Sequence, residues 1–152
     1  MASNFQEALR EAIYSVYTGS ALETLLTGGL HYGRAPACAP GDGAEIRPYG
    51  VFKLPTLERA DTFTETIHDG LLQFEFFAND IPTIETAIAE CETLYDSSGT
   101  ESAKWIEPDS TYCAGFMCIR ENVVFPIPTS KDKFSNWKGM VDFNILPQQL
   151  TP

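Results

Sequence analysis

GLLQFEFFANDIPTIETAIAECETLYD, residues 70–96, carries two periods in one run, and the change between them decides the fold. Leu72, Phe74 and Phe76 fall on one side of an extended chain while Gln73 and Glu75 fall on the other, the two-residue repeat of a half-buried strand. From Ile84 the spacing becomes three and four: Ile84, Ala87, Ile88, Cys91, Leu94 and Tyr95 form one apolar stripe of a helix. Asp80 stands between the halves, placed to cap the helix with its carboxylate and to complement the positive end of the helix dipole. Pro82 is tolerated in the first turn because the amide it lacks would have no helical partner. The stretch predicts a strand feeding directly into a helix, joined at Ala78-Asn79-Asp80 by a turn whose role is structural.

Toward the N-terminus the same grammar predicts two helical pieces. Ser3 with Gln6 reads as a capping box, followed by a buried stripe of Phe5, Leu9, Ala12, Ile13 and Val16 that Gly19 ends. Ser20 with Glu23 reads as a second box, opening a short helical turn through Leu22, Leu25 and Leu26 before Gly28-Gly29. Leu30 to Tyr32 is a brief apolar-aromatic stretch. Residues 33–48, GRAPACAPGDGAEIRP, hold too many prolines and glycines for regular structure and read as a surface loop. Tyr49 to Leu54 reads as a strand ended by Pro55, and residues 56–65 as a hairpin connection whose second half begins to pair.

Toward the C-terminus, Tyr112 to Val124 alternates like a strand, PIPTSKDKFSN at 126–136 breaks the pattern, and Trp137 to Leu146 is the last strand, with Val141, Phe143 and Ile145 on one parity. There is no internal repeat and no linker. The expectation is one domain over residues 1–152, of class α+β: a mixed or antiparallel sheet of about four to five strands with two main helices packed on one face and long irregular loops. Polar alternates on the last strands predict that the other sheet face is partly wet.

The chain of 152 residues is 43% hydrophobic and 20% charged, the balance of a globular domain with one sizeable core. No apolar run approaches the ~20 residues of a membrane-spanning helix, and the opening MASNFQEALREAIY reads as no secretory signal, so a cytoplasmic protein with no membrane partner is expected. Ten Lys and Arg against 21 Asp and Glu give a charge of −11, which repels free nucleic acid and argues against a DNA reader. It is compatible with a wall past which DNA moves without sticking. Cysteines at 38, 91, 113 and 118 have no zinc-site spacing, and reduced thiols are expected.

No catalytic, cofactor or metal residues emerge. The glycine-rich stretches TGGLHYG and PGDGAE lack the context of a phosphate loop, and no nucleophile elbow surrounds a serine. His68-Asp69 is better read as a solvated pair than as a proton-transfer site, and carboxylate pairs such as Glu90 with Glu92, or Asp61 with Glu65, lack an evident enclosing cleft. What a monomer leaves unexplained is the aromatic content of the irregular segments. Phe63, Trp105, Phe134 and Trp137 are the candidate subunit-interface residues, because aromatic side chains at a protein's periphery often anchor partners.

The order of parts resembles a known family. A first helix, the short LHYGRAP element, RPYGVFKLP as a strand opening on Pro-Tyr, the long strand HDGLLQFEFFAND running into an amphipathic helix, and the closing WKGMVDFNI are together similar to the tail-completion proteins, or tail terminators, of long-tailed bacteriophages. The resemblance spans Phe5 to Ile145 in element order. It implies a virion protein assembled in the host cytoplasm as a ring, typically of six subunits, on the head-proximal end of the tail tube. Such a ring ends tube growth, meets tube protein on one side and a head-completion or connector protein on the other, and lets DNA through its channel without specific binding. It needs no cofactor. The proline-rich loop at 35–48 and the segments at 97–111 and 125–136 are long for that family. A head-tail adaptor or connector-completion protein would use similar parts. Readings from other classes are a small cytosolic enzyme or ligand-binding domain with a pocket between sheet and helices, and a regulatory binding protein from a mobile element.

Overall fold

The computed structural model describes residues 4–33, 48–61, 66–97, 105–108, 111–128 and 137–150, with the side chains of 57–61 and 66–68 excepted. The stretch that decides the fold forms as its two periods require. Thr66–Ala78 is a strand (β3), and Ile81–Tyr95 is a helix (α3) whose cap Asp80 accepts the Thr83 amide at 3.2 Å. The other helices are Phe5–Tyr17 (α1) and the single turn Ala21–Leu25 (α2). The other strands are Leu30–Tyr32 (β1), Tyr49–Asp61 (β2), Cys118–Pro128 (β4), Trp137–Ile145 (β5) and Gln148–Gln149 (β6).

The sheet runs β1-β2-β3-β5-β4, with β6 pairing the start of β3. Only β1 is parallel to its neighbour. Strands β3 and β4 both run antiparallel to β5 and therefore parallel to each other, so α3 is the crossover of a split β-α-β unit with β5 slotted between its strands. The fold class is α+β with a mixed sheet, as the patterning predicts.

Both main helices pack on one sheet face. Phe74 lies at the centre of that side, its ring centroid 4.8 Å from Tyr95, 5.9 Å from Phe143 and 6.0 Å from Phe52. Leu72, Phe76, Val141 and Ile145 complete a floor that is closed to solvent. Burying each such side chain stabilises the fold by roughly 1.5–3 kcal/mol relative to leaving it exposed. Helix α3 comes down onto β5 at Gly139, where a Cβ would meet Ile84 and Ile88. The Tyr95 hydroxyl donates to the Ile13 carbonyl at 2.7 Å, tying α3 to α1 across the buried layer. Thiols of Cys91, Cys113 and Cys118 are free and buried here. No helix among the described residues is long and apolar enough to cross a membrane.

Four boundaries differ from the sequence reading, each for a local reason. The cap of α1 is Asn4, whose side chain accepts the Glu7 amide at 2.9 Å; Ser3 lies outside the described residues. Strand β2 does not stop at Pro55 but continues to Asp61, because a register shift between Lys53 and Thr56 takes the proline out of the ladder, where no amide is needed. Tyr112 to Met117 is not strand: it holds single bridges only, Cys113 to Gln149 and Phe116 to Ile106, and β4 begins at Cys118 and runs through the prolines to Pro128. Strands β1 and β6, of three and two residues, are too short to show a period.

Candidate assembly surface

Alternation along β2, β3 and β5 leaves a second face that no helix among the described residues covers. Across it the register sets Lys53 beside Gln73 and Asp142, and Val51 beside Glu75 and Met140. Glu75 Oε1 lies 3.4 Å from both Lys53 Nζ and Lys138 Nζ, so two ammonium groups converge on a carboxylate whose residue is only 8% exposed. Gln73 donates to Asp142 at 3.0 Å, and Asn144 donates to Asp69 at 3.0 Å. Tyr49 stacks on Phe77 at 4.9 Å, with Lys138 over the Phe77 ring. This face is a satisfied polar lattice with an aromatic end.

The sheet ends in two unlike edges. One is the short β1, backed by α1. Between them lies an open cleft of about 530 Å³ with a floor of Leu30 and Phe52 and walls that include Arg10, Tyr14, Ser15 and Tyr32. The Arg10 guanidinium sits 5.3 Å from the centre of the Tyr32 ring. His31 Nε2 donates to the Gly28 carbonyl at 2.8 Å, which fixes the ring. A second cleft, of about 340 Å³, lies on the other side of α1 between Ala8, Ala12, Val16 and the segment 105–107.

The other edge is β4. Its first residues are held from outside by the last turn of α3 and the chain just after it: Ser97 N–H donates to the Cys118 carbonyl, Arg120 N–H donates to Asp96, and the Arg120 guanidinium meets Glu92 at 2.8 Å. Beyond Arg120, no further strand among the described residues pairs with β4. The register to β5 shifts twice, between Arg120 and Asn122 and between Val124 and Ile127. Glu121 and Phe125 therefore fall out of the alternation. Phe125 is 76% exposed, the most exposed large apolar side chain among the described residues, with Ile127 and Ile119 also open. Pro126 and Pro128 have no amide hydrogen to offer an added strand.

Of the four aromatic residues singled out in the sequence, Phe63 and Phe134 lie outside the described residues. Trp105 is 58% exposed, its indole set against Gly115, where any Cβ would collide with it. Trp137 lies elsewhere, opposite Ala78 and Pro128 at the end of β5, half-buried against the core. The structure brings Trp105 to α1 and keeps Trp137 at the rim of the α3 side. Phe125 is what sequence reading missed; the signal was FPIP, an aromatic residue among strand-compatible prolines, read as a break.

Among the described residues, the titratable groups pushed far from their ordinary values are all core groups. Burial raises the Cys91 and Tyr95 ionisations well above the usual range and lifts Cys113, Cys118 and Tyr17 to about 12. None of the five lines either cleft. Among the described residues no group of three or more His, Cys, Asp or Glu side chains gathers as a metal site requires.

The fold has a solved counterpart. The chain is similar to a chain in the virion of a native gene transfer agent particle, with a TM-score of 0.56 and 16% identity, over 97% of this chain and 99% of that one. The sequence matches no protein-family model and no curated protein. At 16% identity the likeness is one of fold.

Proposed function

We propose that this chain is a structural protein of a phage-type virion. It acts as a tail terminator that closes into a ring, of the six subunits the family resemblance implies, at the head-proximal end of the tail tube. There it ends tube growth and joins the tail to the head-completion or connector protein, with neither catalysis nor cofactor. The observation that carries this reading is the whole-length fold likeness to a chain of a virion particle, a particle that is itself an assembly. Two physical features support it. A ring requires a heterologous contact, in which one surface of each subunit meets a different surface of the next, and this sheet ends in two different edges. A charge of −11 repeated round a ring disfavours sticking of the DNA that crosses it.

The test is particle morphology together with oligomeric state. Light scattering on the purified chain, alone and mixed with tail tubes, followed by negative-stain imaging, is expected to show an annulus at one tube end. Particles assembled without the chain are expected to carry tubes of uncontrolled length. Tubes of normal length that merely fail to join heads would sink the terminator reading in favour of a neck adaptor, and absence of the protein from finished particles would sink both.

A further inference from the structure

The two edges that a ring would have to join carry features that answer one another. At the β1 edge is a cleft with an apolar floor, Leu30 and Phe52, and a basic group, Arg10, at its rim. At the β4 edge an aromatic ring, Phe125, stands out in solvent with an acidic side chain, Glu121, four residues before it. Both β4 residues sit at register shifts, and bulges are the device by which an edge strand re-aims a side chain that regular alternation would place on a sheet face.

We infer that Phe125 of one subunit docks in the α1–β1 cleft of the next, with Glu121 meeting Arg10 beside it. The inference rests on the ring reading and names its contact. It fits the geometry of heterologous closure, because β1 and β4 are opposite ends of one five-strand path, roughly 19 Å apart at the ordinary strand spacing. A contact from one end to the other repeats around a ring, whereas β4 against β4 would stop at a dimer.

The chemistry also selects the occupant. A cleft of about 530 Å³ has ample room for one phenyl ring. Its floor offers only apolar contacts, and its walls offer the rings of Tyr14 and Tyr32, surfaces that suit an aromatic anchor. Arg10 is held near the cleft by the Tyr32 face, and its intrahelical carboxylate partner Glu7 is 3.9 Å away, a long contact that leaves the guanidinium donors open to a closer one. The cleft lining carries one base, Arg10, and one acid, Glu11, so a partner carboxylate is accepted on the Arg10 side alone, which fixes how Glu121 must sit when Phe125 enters. Pro126 and Pro128 limit backbone pairing at that end of β4, so side chains carry the recognition.

Intersubunit cross-linking in the full chain tests this. Ser15→Cys places a thiol on the cleft wall and Phe125→Cys replaces the anchor. Mixed and treated with a short bismaleimide, the two variants are expected to give a covalent dimer that neither gives alone, with the unmodified chain as the control for native thiols. Phe125→Ser is expected to weaken association at least tenfold while leaving the circular dichroism and thermal midpoint of the monomer unchanged. Arg10→Glu should weaken association similarly, and adding Glu121→Arg should restore it, a rescue that mere structural damage would not permit. Rings that form normally but yield no link between 15 and 125, or that link 125 to 125, overturn this contact and leave the ring reading standing. A wild-type chain that forms no oligomer either alone or on tubes overturns the ring reading, and this contact with it.

Discussion

The two faces of the sheet are made by alternate residues of the same strands, yet they are held by different physics. On one, Phe74 is enclosed by Phe52, Phe76, Tyr95 and Phe143 and sealed by two helices. On the other, Glu75, the next residue, sits between two lysines. The apolar face is stabilised by area removed from water and by close packing, contributions that are large, insensitive to salt and severely dependent on shape. The polar face is stabilised by ion pairs and amide hydrogen bonds with one side toward solvent, each small and screened. One strand therefore carries both the apolar core and a polar, charge-paired face.

The contrast should be most visible on truncation. Phe74→Ala removes the ring on which four others converge and is expected to cost about 3–5 kcal/mol in urea unfolding. A loss under 1 kcal/mol would show that the covered side is not the core. Alkali attacks the same side. Burial raises the Cys91 and Cys118 ionisations above the 9.0 of a free thiol, so the unfolded chain gives up these protons first. Stability is then full below pH 9 and falls as pH rises toward the folded values, by about 1.4 kcal/mol per pH unit for each thiol. Urea midpoints between pH 8 and 11 should trace this fall, and Cys118→Ala should flatten it. A midpoint constant over that range would contradict the assigned burial.

Shape dependence gives the next effects in size. Gly139→Ala puts a methyl where Ile84 and Ile88 press on β5, and is expected to cost 1–3 kcal/mol by lifting α3 from the sheet. Combining it with Ile84→Val should recover part of that loss, since the smaller side chain gives room. Tyr95→Phe keeps the ring but deletes the hydroxyl that donates to Ile13, leaving a buried carbonyl without that donor, at a cost of about 1–2 kcal/mol.

How much of this was legible depends on whether a residue's role is set by its neighbours in sequence or in space. Residues 70–96 could be read directly because each half has one period and the turn between them is capped by its own Asp80. The pair Ser20 and Glu23 is equally local: the Ser20 hydroxyl accepts the Glu23 amide, while the Glu23 carboxylate reaches back one residue further than a capping box requires and accepts the Gly19 amide. Pro55 misled because the rule against proline in a strand supposes that its amide position is paired, and only the pairing partner creates the register shift that lifts the requirement. Tyr112 to Met117 alternates like a strand, but Ile106 and Gln149 take up its ladder positions singly. The candidate surface was legible only in kind. Peripheral aromatics were anticipated, and Trp105 is one, but Phe125 becomes an exposed ring only through two register shifts against β5.

The smallest expected effect is also the one that distinguishes the faces most sharply. Glu75→Gln keeps the shape of the side chain and removes its charge, leaving Lys53 and Lys138 with a neutral acceptor between them. Both lysines remain partly in solvent, which screens their mutual repulsion, so the expected cost is below about 1 kcal/mol at low ionic strength. Added salt should shrink the difference from wild type, because screening weakens the attraction lost in the variant and the repulsion gained by it. For Phe74→Ala the same salt titration should leave the difference unchanged. If Glu75→Gln instead costs several kcal/mol and does not respond to salt, the carboxylate is effectively in the interior and the uncovered face is a second core. If it costs almost nothing in the isolated chain but impairs ring formation, this face belongs to the assembly.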